Sequence, residues 1–278
     1  MLVRGWLDLG LALGAAWGNH WGMEEVLAVE ADFRVVDESA DWIVVDKAAP
    51  LVVHPTGKKT EPTLLGGLEA LLAYELANGA RLSIINRLDR ETSGLVLIAK
   101  NPEAARWFGM RMQNREVSKR YEAIVHGWPV EDTWVAAEPI LRAADVEDSA
   151  INVRQRVHPA GRPCRTAFQV LRRFAHGGRQ FSRVACVPLT GRMHQIRVHL
   201  AHAGHPIVGD KVYTGAGEAY LEFVAGGWSE RLAERLLLPR HALHSSGLAF
   251  ADPEGKPLGW VSGMPADLQR FEETGEIL

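Results

Sequence analysis

Cysteine is scarce in this chain, with only Cys164 and Cys186 among 278 residues. Two thiols build neither a disulfide framework nor a four-thiolate metal site, so a hydrophobic core has to supply the stability. Both cysteines fall in stretches that read as strands, where buried free thiols are expected, and a reducing, cytoplasmic setting goes with them. Internal repeats and low-complexity segments are also absent, as is any apolar run long enough to cross a bilayer. The nearest approach, residues 1–23, is rich in Gly and Trp, but Asp8 interrupts it and no A-x-A-like cleavage site follows. It reads as a leader, or as sequence ahead of a true start at Met23, and no membrane association is expected. No HExxH accompanies the eleven histidines, and the closely spaced His194, His199, His202 and His205 have only Asp210 as a nearby carboxylate. Neither a metal nor a cofactor is therefore expected. GHPIVGDK at 204–211 has Asp210 where a phosphate loop needs lysine, which argues against nucleotide binding there.

What is present is a hydrophobic fraction of 47% with 23% charged residues, the balance of a globular protein with a sizeable core. The net charge of -3 hides a segregation. Residues 151–211 hold eleven Lys or Arg and one acid, Asp210, and so carry +10. The rest of the chain has 20 basic and 33 acidic residues and carries -13. Such a split suggests a positive face for a polyanion on an otherwise acidic body.

Apolar patterning then sets the elements. DWIVVD (41–46) and residues 51–53 read as strands around Pro50, and leucines at 64, 65, 68, 71, 72 and 76 read as one helix over 63–78. Residues 83–88 are extended and enter a Thr92-Ser93-Gly94 turn before a buried strand at 95–99. Asn101 followed by Pro102 is an N-cap opening a helix to about Gln113. Strands follow at 119–126, 151–157, 166–173 and 181–189, a helix at 192–203 closed by Gly204, a strand at 242–250, and a helix at 265–273. Strands come in groups rather than alternating with helices, so the fold class is α+β with a largely antiparallel central sheet and flanking helices.

Four stretches, in order, resemble one family, the RNA pseudouridine synthases of the large-subunit and tRNA-modifying, RluA-type class. NRLDRETSGLVLIAK (86–100) resembles the segment that carries the family's catalytic aspartate. KRYEAIVHG (119–127) resembles the strand with its active-site tyrosine. LTGRMHQIRVHLAHAGHPIVGDKVY (189–213) is similar to its GRxHQIRxHL…GxPIxGDxxY block, and RHALHSSGLAFADP (240–253) to its closing strand. The resemblance implies that the protein isomerises uridine to pseudouridine in rRNA or tRNA, in a catalytic cleft, with Asp89 as the nucleophile. It implies Arg197 as the cation favouring ionised Asp89, and Tyr121 as the ring that stacks on the flipped base. Arg87 would displace the target nucleotide, since a stacked uridine does not present its ring faces and sugar. Arg192 and His194 are expected to contact RNA, and Leu243 to pack near the base. If the 192–203 helix is regular, His194 and Arg197 share a face.

Asn86 stands where the family usually has histidine, and Ala48-Ala49-Pro50 replaces its Pro-Ala-Gly; neither change touches Asp89, Tyr121 or Arg197. The expected organisation is a leader over 1–41, with no separate RNA-binding module, and a catalytic domain over 42–278. The expected partner is RNA, contacted through phosphates, and the expected state a monomer. The alternative is a protein of the same fold that binds or folds RNA without catalysis.

Overall fold

A computed structural model describes residues 32–54, 62–251 and 256–276. The described residues form two compact units, one containing those between 32 and 119 together with 245–263, the other 120–244 together with 264–276. Both are sheets with helices packed on them.

In the first unit, β1 (Phe33–Glu38) pairs antiparallel with β2 (Trp42–Lys47). β1 lies within the stretch read as a leader, so the sheet starts ahead of Asp41. A register shift between Val35 and Asp37 breaks the two-residue alternation that would have announced it. Residues 51–53 are not the strand that alternation suggests: Val52 makes a single bridge to Thr63. Leu51 and Val53 are buried, but the backbone around them serves other partners. Leu64 N donates to Val52 O (2.8 Å), Leu65 N to Val53 O (3.0 Å), and Leu51 N to Arg90 O (3.0 Å).

The leucine-rich stretch is two helices, α1 (Leu64–Leu71) and α2 (Ala73–Ala77), meeting at Leu72. Leu64, Leu68 and Leu72 are all buried, so the apolar stripe runs across the break without registering it. β3 (Ser83–Ile84) and β2 both pair antiparallel with β4 (Ser93–Ala99), which is buried at every residue. α3 (Pro102–Asn114) starts as expected, with Asn101 Oδ1 accepting from Ala104 N at 2.8 Å.

In the second unit, β5 (Ser118–His126) pairs with β10 (Arg179–Pro188), β10 with β9 (Thr166–His176), and β9 with β6 (Thr133–Ala136), each antiparallel. β7 (Ile140–Arg142) and β8 (Gln155–Val157) form a separate pair. Of the expected strand at 151–157, only the last three residues are therefore strand. The β9–β10 hairpin runs to a two-residue loop, Gly177-Gly178, with φ of 54° and 74°. Two consecutive positive φ values are what a tight hairpin needs and what glycine allows, so the strands extend past Arg173. α4 (Gln195–His202) is buried over Gln195–Leu200, and α5 (Glu218–Gly226) and α6 (Glu230–Leu236) follow.

β11 (Leu243–Ala251) begins in the second unit and continues in the first, completing there the order β1-β2-β4-β11, with β12 (Pro257–Val261) antiparallel to β11. α7 (Ala266–Thr274) closes the second unit. The first unit's core joins Val44, Leu95, Leu97, Phe108, Phe250 and Trp260. In the second unit, Phe181 meets Phe271 of α7 edge-on at 5.3 Å. The reading of residues 1–23 as a leader falls outside the described residues. Among those described, no helix is long and apolar enough to cross a membrane.

Candidate active site

Asp89 and Arg87 belong to the first unit; Tyr121, Arg192, His194, Arg197 and Leu243 belong to the second. Each set is held by its own local chemistry.

The turn carrying Asp89 comes earlier than Thr92-Ser93-Gly94. It lies at Arg90–Glu91 and is closed by Thr92 N donating to Asp89 O at 3.1 Å, while Ser93 and Gly94 are already in β4. Gly94 is required by proximity rather than by the turn. Its φ is 109°, and a Cβ there would lie 2.3 Å from Ser245 O of β11. Arg87 is exposed, Leu88 buried and Asp89 half-buried, the alternation of an extended segment. Upstream, Asn86 is buried, with Nδ2 donating to Leu95 O (3.0 Å) and Oδ1 accepting from Leu97 N (2.8 Å). Downstream, Arg90 O accepts from Leu51 N and from Nζ of the fully buried Lys47 at 3.2 Å; Lys47 also donates to Ala48 O at 2.9 Å. A buried ammonium needs such oxygen acceptors to offset its lost hydration.

In the second unit, Arg197 on α4 is buried and forms a bidentate pair with Asp210, Nε to Oδ2 at 2.7 Å and Nη2 to Oδ1 at 2.9 Å. Asp210 is wholly buried, and its Oδ1 also accepts from Val212 N (3.0 Å) and Tyr213 N (3.2 Å). The Tyr213 ring lies 5.0 Å from the Arg197 guanidinium carbon. Two parallel hydrogen bonds and an aromatic neighbour fix the guanidinium plane.

His194 does not share a helix face with Arg197, because α4 starts at Gln195. His194 is its N-cap, in the left-handed region at φ 55°. A non-glycine residue there stores strain, and a hydrogen bond of 2.8 Å between His194 Nδ1 and the Tyr213 hydroxyl accompanies it. Tyr213 also accepts from Gln155 N at 3.0 Å. Gln195 ties the surrounding loops: Nε2 donates to Arg165 O (2.9 Å), while Oε1 accepts from Arg192 N (3.1 Å) and from the Thr190 hydroxyl (2.7 Å). Gly204, at φ 84°, terminates α4 in the left-handed conformation expected of it.

Tyr121 is buried on β5 opposite Cys186, and Leu243 is buried at the start of β11. Ala242, beside Leu243, is bonded to Ile124 and Val208 (3.0 and 2.8 Å). His241 is buried and held far below the ordinary imidazole range, chiefly by desolvation and then by Arg197, Arg240, His194 and Lys211. Two more of the closely spaced histidines are engaged in structure, His199 with the Thr166 hydroxyl (2.9 Å) and Glu138 O (3.1 Å), and His205 with His126 O (2.9 Å).

The +10 segment is not a uniformly open face. Arg172 and Arg183 both reach the buried Glu272, Arg173 reaches Asp132, and Arg156 reaches Glu147. Arg162 and Arg165 are exposed and Arg192 half-buried, and no ion pair among the described residues engages these three. Sequence reasoning overlooked Asp210 as a structural partner. Its place in the same family-like block as Arg197, thirteen residues on, was the available signal. It passed over Tyr213 and the anchoring geometry of Asn86 as well.

The sequence pattern of RNA pseudouridylate synthases matches residues 41–202. The chain belongs to that family, and it is an RNA pseudouridine synthase, an enzyme that isomerises uridine in RNA. Ribosomal large subunit pseudouridine synthase D of Haemophilus ducreyi is 31% identical over 95% of this chain and 81% of its own length. The protein of the same name from Pseudomonas aeruginosa is 37% identical over 87% of this chain and 72% of its own. Human RNA pseudouridylate synthase domain containing 1 shares the fold, with a TM-score of 0.66 at 24% identity, covering 88% of this chain and 89% of that one.

Proposed function

We propose that Asp89 is the nucleophile of this isomerisation and that the target is large-subunit ribosomal RNA. The names of the two bacterial relatives support that target. The observation that carries the site is the buried Arg197, held in one orientation by two hydrogen bonds to Asp210. A cation held in one orientation favours a carboxylate that must be ionised to attack, and it needs no reorganisation during the reaction.

In this reading the uridine leaves its stack, and Arg87, exposed two residues before Asp89, fills the vacated place. Asp89 attacks the uracil or its sugar. The base detaches, turns and rejoins through C5, while Tyr121 stacks on it and assists loss of the C5 proton. Leu243 packs near the base. His194 and Arg192 contact the RNA, and Arg162 and Arg165 add phosphate contacts to theirs. The fold would be a largely antiparallel central sheet with a catalytic cleft, over a domain reaching to residue 278. The protein would act as a monomer in the cytoplasm.

The target is tested by mapping pseudouridine in large-subunit rRNA and in tRNA from cells with and without this gene. Loss of one or more rRNA sites is expected. Loss confined to tRNA, or no loss at all, would overturn the assignment.

A further inference from the structure

The segment that carries Asp89 leaves the sheet in an unusual way. Ser83 and Ile84 pair with Ala99 and Ile98 of β4, and Ile85 N still reaches Leu97 O at 2.9 Å. At Asn86 the side chain takes over. Its amide donates to Leu95 O and accepts from Leu97 N, as a peptide group of a paired strand would. Leu97 N can only donate and Leu95 O can only accept, so the amide has a single satisfying orientation. The main chain is thereby released from the ladder while remaining registered to β4. Three residues later it presents Asp89, in a turn closed by Asp89 O and anchored beyond it through Arg90 O.

We infer that Asn86 is a positioning residue for Asp89, a side-chain surrogate for a strand residue that fixes where the catalytic segment departs from β4. The inference rests on the reading of Asp89 as nucleophile. Its physical basis is the sensitivity of an attacking group to placement: an error of about 1 Å costs on the order of 100-fold in rate. An aspartate at this position keeps the shape and the acceptor for Leu97 N, but it sets a carboxylate against Leu95 O. A histidine in its neutral form can donate from one ring nitrogen and accept at the other, so it retains the donor and the acceptor that the two bonds require.

The test compares the full chain with Asn86→Asp, Asn86→His and Asp89→Asn, measuring kcat and KM for pseudouridine formation and RNA affinity at pH 8. Circular dichroism accompanies each measurement. Asn86→Asp should lower kcat by on the order of 100-fold while KM and RNA affinity stay near those of the natural protein. Asn86→His should recover most of that loss. A folded Asn86→Asp with unchanged kcat, or one that loses RNA affinity in proportion to kcat, would overturn the inference. If Asn86→Asp does not fold, the histidine variant decides, and a loss of kcat as deep as that of Asp89→Asn would refute the surrogate role. An active Asp89→Asn would instead bring down the reading of the nucleophile, a separate outcome.

Discussion

At the scale of single residues, Arg197 and Asp210 form a buried, bidentate ion pair in the second unit. Asp210 has no exposure, and its acceptors serve Arg197 twice and two backbone N–H groups besides. Removing one partner of such a pair leaves a buried charge uncompensated, which typically costs about 3–5 kcal/mol. Asp210→Asn, which keeps shape but not charge, should lower the free energy of unfolding by that order in urea titration. Activity should fall more than RNA affinity, because the guanidinium loses its fixed plane. Unchanged unfolding would mean the pair contributes little. Arg197 was legible as a candidate because it stands in a recognisable block. Its partner was not, because an acid thirteen residues away reveals its role only when α4 and the segment after it are packed together.

Among the elements, local signals were clearest where one physical cause set the outcome. The N-cap and proline of α3, the continuous apolar run of β4 and the glycine ending α4 were all readable. They failed where tertiary contacts claimed the backbone. Residues 51–53 have a strand's burial but spend their backbone groups on α1 and Arg90; His194 sits outside α4 because its φ is left-handed. Gly94 was read as a turn residue, yet its necessity comes from Ser245 O, 151 residues away in sequence. Gly94→Ala should therefore destabilise the protein by at least ~2 kcal/mol through strain and backbone clash. Thermal unfolding monitored by circular dichroism would show a lowered Tm. A Tm equal to that of the natural protein would contradict the close approach.

For the molecule as a whole, the half-buried His126 and the buried His199 and His241 set a pH dependence. His126 is depressed to about 4, by burial first and Arg179 second; His199 is lowered, and His241 lies well below its usual range. These rings stay neutral when folded but take up protons on unfolding near their ordinary value of 6.5. Between pH 6.5 and about 4 the unfolded chain thus binds more protons than the folded one, and stability rises with pH. The contribution is complete above pH 6.5 and is lost as pH falls toward 4. The urea midpoint should be clearly lower at pH 5 than at pH 7.5, by on the order of 2 kcal/mol in unfolding free energy. A flat profile over that range would refute the assignment of these rings as neutral in the folded protein. The overall charge split was readable from sequence, but its meaning was not. Acids from outside the basic segment neutralise several of its arginines, and Arg162, Arg165 and Arg192 are among those left as candidate RNA contacts.

The chemistry converges on Asp89, and one measurement tests it most directly. RNA tritiated at C5 of uridine releases its label to water when pseudouridine forms. The natural protein should release tritium with turnover, while Asp89→Asn, folded and still binding RNA, should release none above background. Equal release by both proteins would contradict the account.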